Sequence, residues 1–408
     1  MRVRAITVFT EIETNDAGTP LARAATFLHA ATQAFQQAGI AVQTRRVATQ
    51  PFPHMRHPNG PVGMPGLAAQ LREQGAAYGI DFLAIGPVGA DDDPDYVDAL
   101  PDIFRAASNV FASIDLTGSA RRIDLGLLRH AARVIRDISA ITPDGLSNLY
   151  LASTANCSPG APFFPVAYHG GGPARFALAI EAADLVVNAF ENGASPEQAR
   201  QGLTDRINEA AARLTTVAQA LAVEHDFAFG GLDFSLAPYP GQTTSLGGGM
   251  ERLGVTAGGA GMVGAASLVM NAIEAAAFPR CGFSGLMLPV LEDSMLGRRA
   301  AEGTLQISDL LLYSAVCGTG LDCIPLPGDV ETDVLAAILL DVAALALRLD
   351  KPLTARLMPL PGKAAGDPVT FPDFEYFAPS RVMQPPPGLS AGAFSSDATF
   401  SVRPRPRP

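Results

Sequence analysis

Short apolar runs recur along the whole chain, separated by longer stretches whose apolar residues recur at helical spacing. The short runs predict buried strands, and the longer stretches predict amphipathic helices. Alternation of the two is typical of α/β folds built from βαβ units. Ten strands are predicted in this way, at residues 3–10, 41–47, 82–88, 110–115, 148–154, 184–190, 232–237, 285–290, 322–326 and 355–359.

Helical patterns lie between most of these strands, and the longest covers residues 196–223. Ser195 is placed to cap its N-terminus, and Pro196 suits the first helical position. No linker rich in proline, glycine and serine divides the chain before about residue 380. We therefore predict a single domain over residues 1–383, followed by an extended proline-rich tail over residues 384–408. The other predicted helices cover residues 21–38, 64–78, 123–138, 174–182, 260–277, 307–317 and 332–349.

Composition narrows the class of protein. The chain has 408 residues, of which 48% are apolar and 17% are charged, and an average chain has about 25% charged residues. The helices should therefore be extensively buried. A net charge of −11 without a basic stripe argues against nucleic-acid binding. The two arginine pairs, Arg45–Arg46 and Arg121–Arg122, are interpreted as marking a strand end or a solvated helix start rather than a phosphate site.

The cysteines and the apolar runs indicate the compartment. Cys157, Cys281, Cys317 and Cys323 form no Cys-x-x-Cys pair, so we expect neither a disulfide framework nor a structural zinc site. The first ten residues have a strand pattern rather than that of a signal peptide. No uncharged apolar run is long enough to span a bilayer, so no membrane partner is expected. These features predict a cytoplasmic protein.

The loop at residues 156–172 combines a thiol, an imidazole and consecutive glycines. A thiol is a good nucleophile only as the thiolate, which a neighbouring imidazolium favours, so Cys157 and His169 are candidate catalytic residues. Gly170 and Gly171 would let the backbone approach a substrate with free N–H groups. A buried structural cysteine beside a turn histidine is the alternative interpretation.

Carboxylates lie within or after three predicted strands, at Asp233, Glu292 and Asp322. Ligands in α/β folds bind beyond the carboxyl ends of the strands, and a buried carboxylate needs a cation or hydrogen-bond donors. We predict acid–base or cation-binding roles for these three residues. The alternative for Glu292 is a first-turn acid that complements a helix dipole. The predicted substrate contacts around them are Ser235, Ser284 and Asp329.

The cofactor remains open at the level of the sequence. A divalent cation held by His169, Asp233 and Glu292 is one possibility, since these side chains offer nitrogen and oxygen ligands. The glycines at positions 258, 261 and 264 do not have the spacing of a dinucleotide fingerprint, so no NAD is expected. His54 and His57 are interpreted as exposed loop residues.

Five segments of the chain carry a family resemblance. They read AYHGGG at 167–172, LDFSLAP at 232–238, GFSGLMLPVLED at 282–293, VCGTGLDCIPLPGD at 316–329 and PLPGKAAGD at 359–367. Together they resemble the uncharacterised DUF711 or UPF0210 family, also labelled "PFL family protein". The resemblance implies a ten-stranded α/β barrel similar to that of pyruvate formate-lyase and ribonucleotide reductase. Ten strands are also predicted from the pattern.

The resemblance to glycyl-radical enzymes stops at the fold. Those enzymes carry an Arg-Val-x-Gly-Tyr motif near the C-terminus, whereas residues 380–384 read Ser-Arg-Val-Met-Gln. We therefore expect a small-molecule enzyme with non-radical chemistry, a lyase or hydrolase, whose site in the barrel interior uses Cys157 as nucleophile or acid–base group and His169 as its proton partner. The alternatives are a metal-dependent hydrolase or lyase and a non-catalytic ligand-binding or assembly protein.

Homo-oligomerisation is expected from the helices at residues 260–277 and 334–347, which are apolar over most of their circumference. A helix of this kind must be covered on every side, and a strand layer covers only one. A twofold dimer is the simplest solution. The alternative is that the tail after Gln384 folds back over these helices.

Overall fold

The computed structural model describes residues 1–316 and 319–405, so Cys317 and residues 406–408 lie outside the described part. Its strands are β1 (Arg2–Phe9), β2 (Val42–Ala48), β3 (Phe82–Gly89), β4 (Val110–Asp115), β5 (Arg122–Asp124), β6 (Leu151–Ala155), β7 (Arg175–Glu181), β8 (Ala228–Ala237), β9 (Gly320–Pro327), β10 (Leu353–Leu360), β11 (Pro368–Val369), β12 (Ser380–Arg381) and β13 (Thr399–Ser401).

Helices connect most of these strands. They are α1 (Gly18–Gln37), α2 (Met64–Ala77), α3 (Asp95–Asp98), α4 (Leu100–Ala106), α5 (Leu125–Ser139), α6 (Ala183–Asn192), α7 (Pro196–His225), α8 (Leu246–Glu251), α9 (Met262–Ala275), α10 (Ser294–Glu302), α11 (Ile307–Ser314) and α12 (Thr332–Leu349). The predicted cap of the long helix α7 is confirmed, because the Ser195 side chain accepts a hydrogen bond from the N–H of Gln198.

A nine-stranded sheet organises the fold, in the order β8-β7-β1-β2-β3-β4-β6-β10-β9. Strands β1, β2, β3, β4 and β6 run parallel to one another, and β7 and β10 are antiparallel to their neighbours β1 and β6. The sheet therefore has a central block of five parallel strands, flanked at each edge by a parallel pair, β8-β7 or β10-β9, that runs in the opposite direction. The mixed α/β fold predicted from the sequence is confirmed.

The predicted closure into a ten-stranded barrel is not confirmed, because β8 and β9 are the two edges of the regular sheet. The strand predicted at residues 285–290 is not a regular strand. The segment 279–290 instead bridges Leu232 of β8 at one end and Asp322 of β9 at the other. The N–H groups of Met287 and Val290 donate to the carbonyls of Ser235 and Asp322 at 3.0 and 3.1 Å. One irregular segment thus contacts both edges.

Two predicted elements around residue 180 are exchanged. The predicted helix at 174–182 is strand β7, and the predicted strand at 184–190 lies in α6. Alanine favours helices, but Ala177 and Ala179 lie on the inner face of the sheet, where they pack with Phe164 and Phe163 respectively. A small side chain leaves room for the phenylalanines, so packing overrides intrinsic propensity. A short apolar run such as 184–190 fits either structure by pattern alone.

The loop between β6 and β7 lies against the inner face of the sheet, which is the face away from the large helical core. On β1, Val3, Ile6 and Val8 pack in that core, whereas the Thr7 hydroxyl donates to the Pro162 carbonyl of the loop at 2.8 Å. Phe164 packs with side chains from β1, β2, β3, β4 and β7. The loop therefore packs across the inner face of the sheet.

Residues 385–405 pack against the domain rather than extending away from it. The N–H of Leu389 donates to the Asp333 carbonyl at the start of α12, and β13 pairs with β5. Arg129 on α5 also bonds Asp397. The tail therefore supplies part of the cover over α12 that the sequence led us to expect from a dimer partner. Among the described helices, none has the length and apolar character to cross a membrane.

Candidate functional site

A cavity of about 290 Å³ lies between the inner face of the sheet and the loop that follows β6, and we call it the inner chamber. Its walls combine aromatic rings with three arginines and one carboxylate. They are formed by Arg4, Gln43, Thr44, Arg46, Phe82, Asn109, Phe111, Leu149, Tyr150, Phe163, Phe164, Met287, Glu292, Arg356, Phe374 and Tyr376. Convergent charged groups in an apolar cavity are the usual make-up of a small-molecule site.

Glu292 is the carboxylate of the inner chamber, and two arginines hold it. Its Oε1 accepts from Arg356 Nη2 at 3.0 Å, and its Oε2 is bonded by Arg4. Arg356 also donates from Nε to Asp322 Oδ1 at 2.6 Å, and Arg4 reaches Glu181 at 3.3 Å. Burial alone would raise the pKa of Glu292, but Arg4 and Arg356 lower it overall. The carboxylate is therefore ionised at neutral pH.

Cys323 adds a thiol to this network through an unusual backbone conformation. Its φ is +48°, and its Sγ donates to Glu292 Oε1 at 3.4 Å. The preceding residue, Asp322, bonds Arg356 of the same network, so consecutive side chains serve one charged cluster instead of pointing to opposite faces. Burial raises the pKa of the Cys323 thiol. The group is a neutral donor to the carboxylate.

Arg46 lies within β2 and lines the inner chamber instead of marking a strand end or a solvated helix start, so that interpretation was wrong for Arg46. Arg46 is 8% exposed, and its Nε donates a hydrogen bond to Thr44 Oγ1 at 2.9 Å. The guanidinium lies over the rings of Phe82 and Phe164, at 5.5 and 5.1 Å from their centroids. Burial, and then the charge of Arg4, lower the pKa of Arg46 to about 9.

The three chamber arginines were missed by the sequence analysis. Each of Arg4, Arg46 and Arg356 lies within a predicted strand, and Arg4 and Arg356 are flanked there by apolar residues. A long cation within a buried strand must find a partner or a cavity. An arginine inside a predicted buried strand is therefore the sequence signal for such a position, just as a buried carboxylate is.

Cys157 does not contact His169 in the structure. The Cys157 thiol donates to the carbonyls of Ala155 and Leu353, at 3.6 and 3.5 Å. Burial, and then the nearby Asp115 carboxylate, raise the pKa of the thiol above its ordinary value. The predicted thiol–imidazole pair is therefore not assembled, and the thiol is protonated at neutral pH.

His169 faces a separate, larger opening, which we call the outer cleft. This cleft has a volume of about 800 Å³ and lies where β1 and β2 end, with Glu11, Gly170 and Gly171 on its wall. Nε2 of His169 lies 3.1 Å from the Gly172 carbonyl and must carry the proton, whereas Nδ1 is buried and has no hydrogen-bond partner among the described residues. Burial lowers the pKa of this histidine, so the ring is neutral.

Asp233 and Ser235 hold the irregular segment 279–290 against β8. Asp233 Oδ2 accepts from the N–H of Phe283 at 2.8 Å, and Oδ1 accepts from the N–H of Ser284 at 2.9 Å and from the Ser235 hydroxyl at 2.5 Å. Burial raises the pKa of Asp233 to about 6. Two predicted functional residues, Asp233 and Ser235, and the backbone of a third, Ser284, thus meet in one turn. The hydrogen bonds of Asp233 named here are all made to other groups of the protein, so they hold the turn together.

The predicted metal ligands His169, Asp233 and Glu292 are not brought together. Among the described residues, the only set of three possible ligands within 4.8 Å is Glu292, Asp322 and Cys323. Both carboxylates of this set are already bonded to guanidinium groups. A divalent cation there would have to displace or lie beside two positive charges, so the donor set fits a metal poorly. Asp329, a predicted substrate contact, is exposed after the end of β9.

Comparison with known proteins identifies the family. A family model described as "Uncharacterised ACR (DUF711)" matches residues 1–380. The chain belongs to the DUF711 family. A UPF0210 protein of Pyrobaculum aerophilum is 33% identical over 346 residues, which are 81% of this chain and 76% of that protein.

Other members are similarly distant. A UPF0210 protein of Pyrobaculum arsenaticum is 32% identical over 83% of this chain and 78% of its own length. A UPF0210 protein of Desulforudis audaxviator is 30% identical over 82% of this chain and 77% of its own length. The DUF711 match covers every residue of the inner chamber and leaves the tail outside it. The resemblance inferred from the five sequence segments is confirmed.

Proposed function

We propose that this DUF711 protein is a small-molecule enzyme whose active site is the inner chamber and whose chemistry is polar acid–base catalysis. The observation that carries the proposal is Glu292, a buried carboxylate that two arginines keep ionised on the wall of the inner chamber. Keeping such charges desolvated is costly, and perturbed ionisable groups in a cavity favour a functional site.

Tyr150 is the second ionisable group that we assign to the reaction. It lines the same cavity, and its hydroxyl donates to Asn109 Oδ1 at 3.3 Å. Burial, and then the charge of Asp144, raise the pKa of this tyrosine, whereas that of Glu292 is lowered. Groups whose pKa values are pushed apart are suited to opposite roles in proton transfer. Tyr150 is the proton donor and Glu292 the acceptor.

The thiol mechanism is the weaker version of this proposal. It requires a Cys157 thiolate, but the thiol is bonded to two carbonyls and its pKa is raised. Cys157 fits better as a structural donor at the end of β6. His169 belongs to the outer cleft and takes no part in the chamber reaction. A lyase or hydrolase reaction is the class we favour, because it needs one group to accept a proton from the substrate or from an attacking water and another to protonate the leaving group.

The activity is testable without knowing the substrate. Purified protein is incubated with a small-molecule extract of the source cells, and mass spectrometry follows compounds that are consumed. We expect Glu292→Gln and Tyr150→Phe each to slow consumption by about 100-fold or more, since positioned acid–base groups contribute about that much. Glu302→Gln is the matched control, because Glu302 pairs with Arg298 and Arg299 on the surface.

Folding of both variants is checked by thermal unfolding before rates are compared. Consumption at the wild-type rate in folded Glu292→Gln would contradict the assignment of the active site. An extract left unchanged by the wild-type protein would contradict catalysis and favour a ligand-binding or assembly role.

Two structural proposals accompany the function. We propose that the segment 279–290 completes the barrel as an irregular tenth strand, supported by its hydrogen bonds to both β8 and β9.

A cytoplasmic homodimer also stays a prediction. It rests on the apolar faces of α9 and α12, although the tail covers part of α12. Light scattering tests the dimer, and a 42.4 kDa particle would contradict it.

A further inference from the structure

Arg46 is the guanidinium of the inner chamber that has no acidic partner. Within the described residues, no carboxylate oxygen lies within 4.0 Å of it, whereas Arg4 and Arg356 each bond two carboxylates. Its known partners are the Thr44 hydroxyl and the faces of two phenylalanine rings. Glu292 lies near enough to favour the charged form of Arg46, but among the described residues no carboxylate forms a salt bridge with it. A cation that is 8% exposed and has no such partner is costly unless a ligand supplies the negative charge.

The charge balance of the cluster indicates how much negative charge is missing. Glu181, Glu292 and Asp322 are bonded by Arg2, Arg4 and Arg356, so three carboxylates meet three guanidiniums. Arg46 adds one further positive charge on the same chamber wall. One negative charge on a ligand would bring the buried cluster to neutrality.

The chamber walls next to Arg46 are apolar and planar. Phe82 and Phe164 lie against the guanidinium, and Phe111 makes edge contacts with both of these rings and with Tyr150. A ligand that reaches Arg46 therefore has aromatic faces along its body. Flat apolar groups stack well against such rings.

We infer that Arg46 binds the carboxylate of a small monoanionic ligand whose planar, apolar body packs between the chamber phenylalanines. This inference rests on the proposed function and names the substrate class of that site. The guanidinium offers paired N–H donors that match a carboxylate. The chamber volume of about 290 Å³ limits the body to a small molecule.

A phosphate group fits this position less well than a carboxylate. A phosphate monoester carries about −1.5 to −2 charges at neutral pH, and only one positive charge lacks a partner. The surplus negative charge would be buried among aromatic rings. Gln43 also lines the chamber, and its buried Oε1 has no hydrogen-bond partner in the described part of the chain. This oxygen is available to accept a hydrogen bond from a hydroxyl or amino group on the ligand.

Calorimetric titration with benzoate tests the inference, because benzoate is a flat monocarboxylate of suitable size. We expect wild-type protein to bind benzoate and Arg46→Met to bind it about 10- to 100-fold more weakly, the usual loss for one charge-assisted contact. Arg46→Lys, which keeps the charge without the paired donors, should bind with intermediate affinity. Arg45→Met is the matched control, since Arg45 pairs with Asp81 at the surface and does not line the chamber.

Two further probes separate the parts of the inference. Benzamide, which is flat but neutral, should bind weakly and equally to wild type and Arg46→Met. Inorganic phosphate should not compete with benzoate. Removing an unpaired buried charge does not endanger the fold, and thermal unfolding verifies this for Arg46→Met.

The inference is wrong if benzoate binds Arg46→Met as tightly as wild type, or if wild type binds no benzoate at millimolar concentration. Phosphate binding at the same site would also overturn the monocarboxylate assignment. These failures are distinguishable from failure of the proposed function, which depends on the effects of Glu292→Gln and Tyr150→Phe on metabolite consumption.

Discussion

Replacing Arg356 with methionine is expected to lower the free energy of unfolding by about 3–5 kcal/mol, the usual cost of breaking a buried ion pair. Arg356 neutralises Asp322 at 2.6 Å and Glu292 at 3.0 Å. Glu292 keeps Arg4 as a partner, but Asp322 keeps no other ion pair among the described residues. The loss therefore comes mainly from a stranded buried carboxylate. Urea unfolding of both proteins measures it.

The matched control is Arg298→Met, because Arg298 pairs with Glu302 on the surface at 2.8 Å. An exposed pair of this kind contributes less than about 1 kcal/mol. Equal losses in the two variants would contradict the view that burial makes the Arg356 network costly to break.

The loss in Arg356→Met should also depend on pH. In the wild type the pKa of Glu292 is held below its ordinary value of 4.5, so its ionised form stabilises the fold at neutral pH. That contribution disappears as the pH falls through 4.5 and below, since the carboxyl then becomes protonated. Arg356→Met lacks one of the two arginines that lower this pKa, so it has less of this contribution to lose. The difference in the free energy of unfolding between wild type and variant should therefore shrink on acidification.

Gly282→Ala is expected to destabilise the protein by about 2–5 kcal/mol, which combines left-handed backbone strain with overpacking. Gly282 has a φ of +60°, and a Cβ built there would lie 2.1 Å from Asp233 Oδ2. Asp233 cannot move away cheaply, because three donors hold its carboxylate. Hydrogen exchange should accelerate at the N–H groups of Phe283 and Ser284, which reports release of the segment 279–290 from β8.

Gly362→Ala provides the comparison for this variant. Gly362 has a similar φ of +73° but open space where its Cβ would be. It should cost only the backbone strain of about 1–2 kcal/mol. If both alanine variants lost the same stability, the contact between Gly282 and Asp233 would not be rigid. The view that Asp233 fixes the segment 279–290 firmly to β8 would then be wrong.

Much of the fold could be predicted from the sequence because its strands are short, apolar and buried. β1, β2, β3 and β4 lie within a residue of their predicted positions. The exchange of strand and helix between residues 174 and 190 had a different cause. An alanine-rich stretch forms β7 because large loop side chains, Phe163 and Phe164, need small partners on the sheet.

The candidate site was predictable only in part. Asp233, Glu292 and Asp322 were identified as buried carboxylates, because a charge next to a buried strand must be satisfied. Their roles differ for reasons that lie outside the local sequence. Asp233 accepts from a turn some 50 residues away, whereas Glu292 bonds an arginine 288 residues away at the start of β1.

The sequence by itself determined the family, the mixed α/β class and the presence of buried carboxylates, since periodicity and local motifs are properties of neighbouring residues. Only the tertiary structure decided which charges meet. The antiparallel pairing of β1 with β7 brings Arg4 to Glu181, and the segment before α10 brings Glu292 to Arg356. Strand order also leaves Arg46 without a salt bridge to any carboxylate of the described residues. Partners of a buried charge depend on the order of the strands, and no local pattern specifies that order.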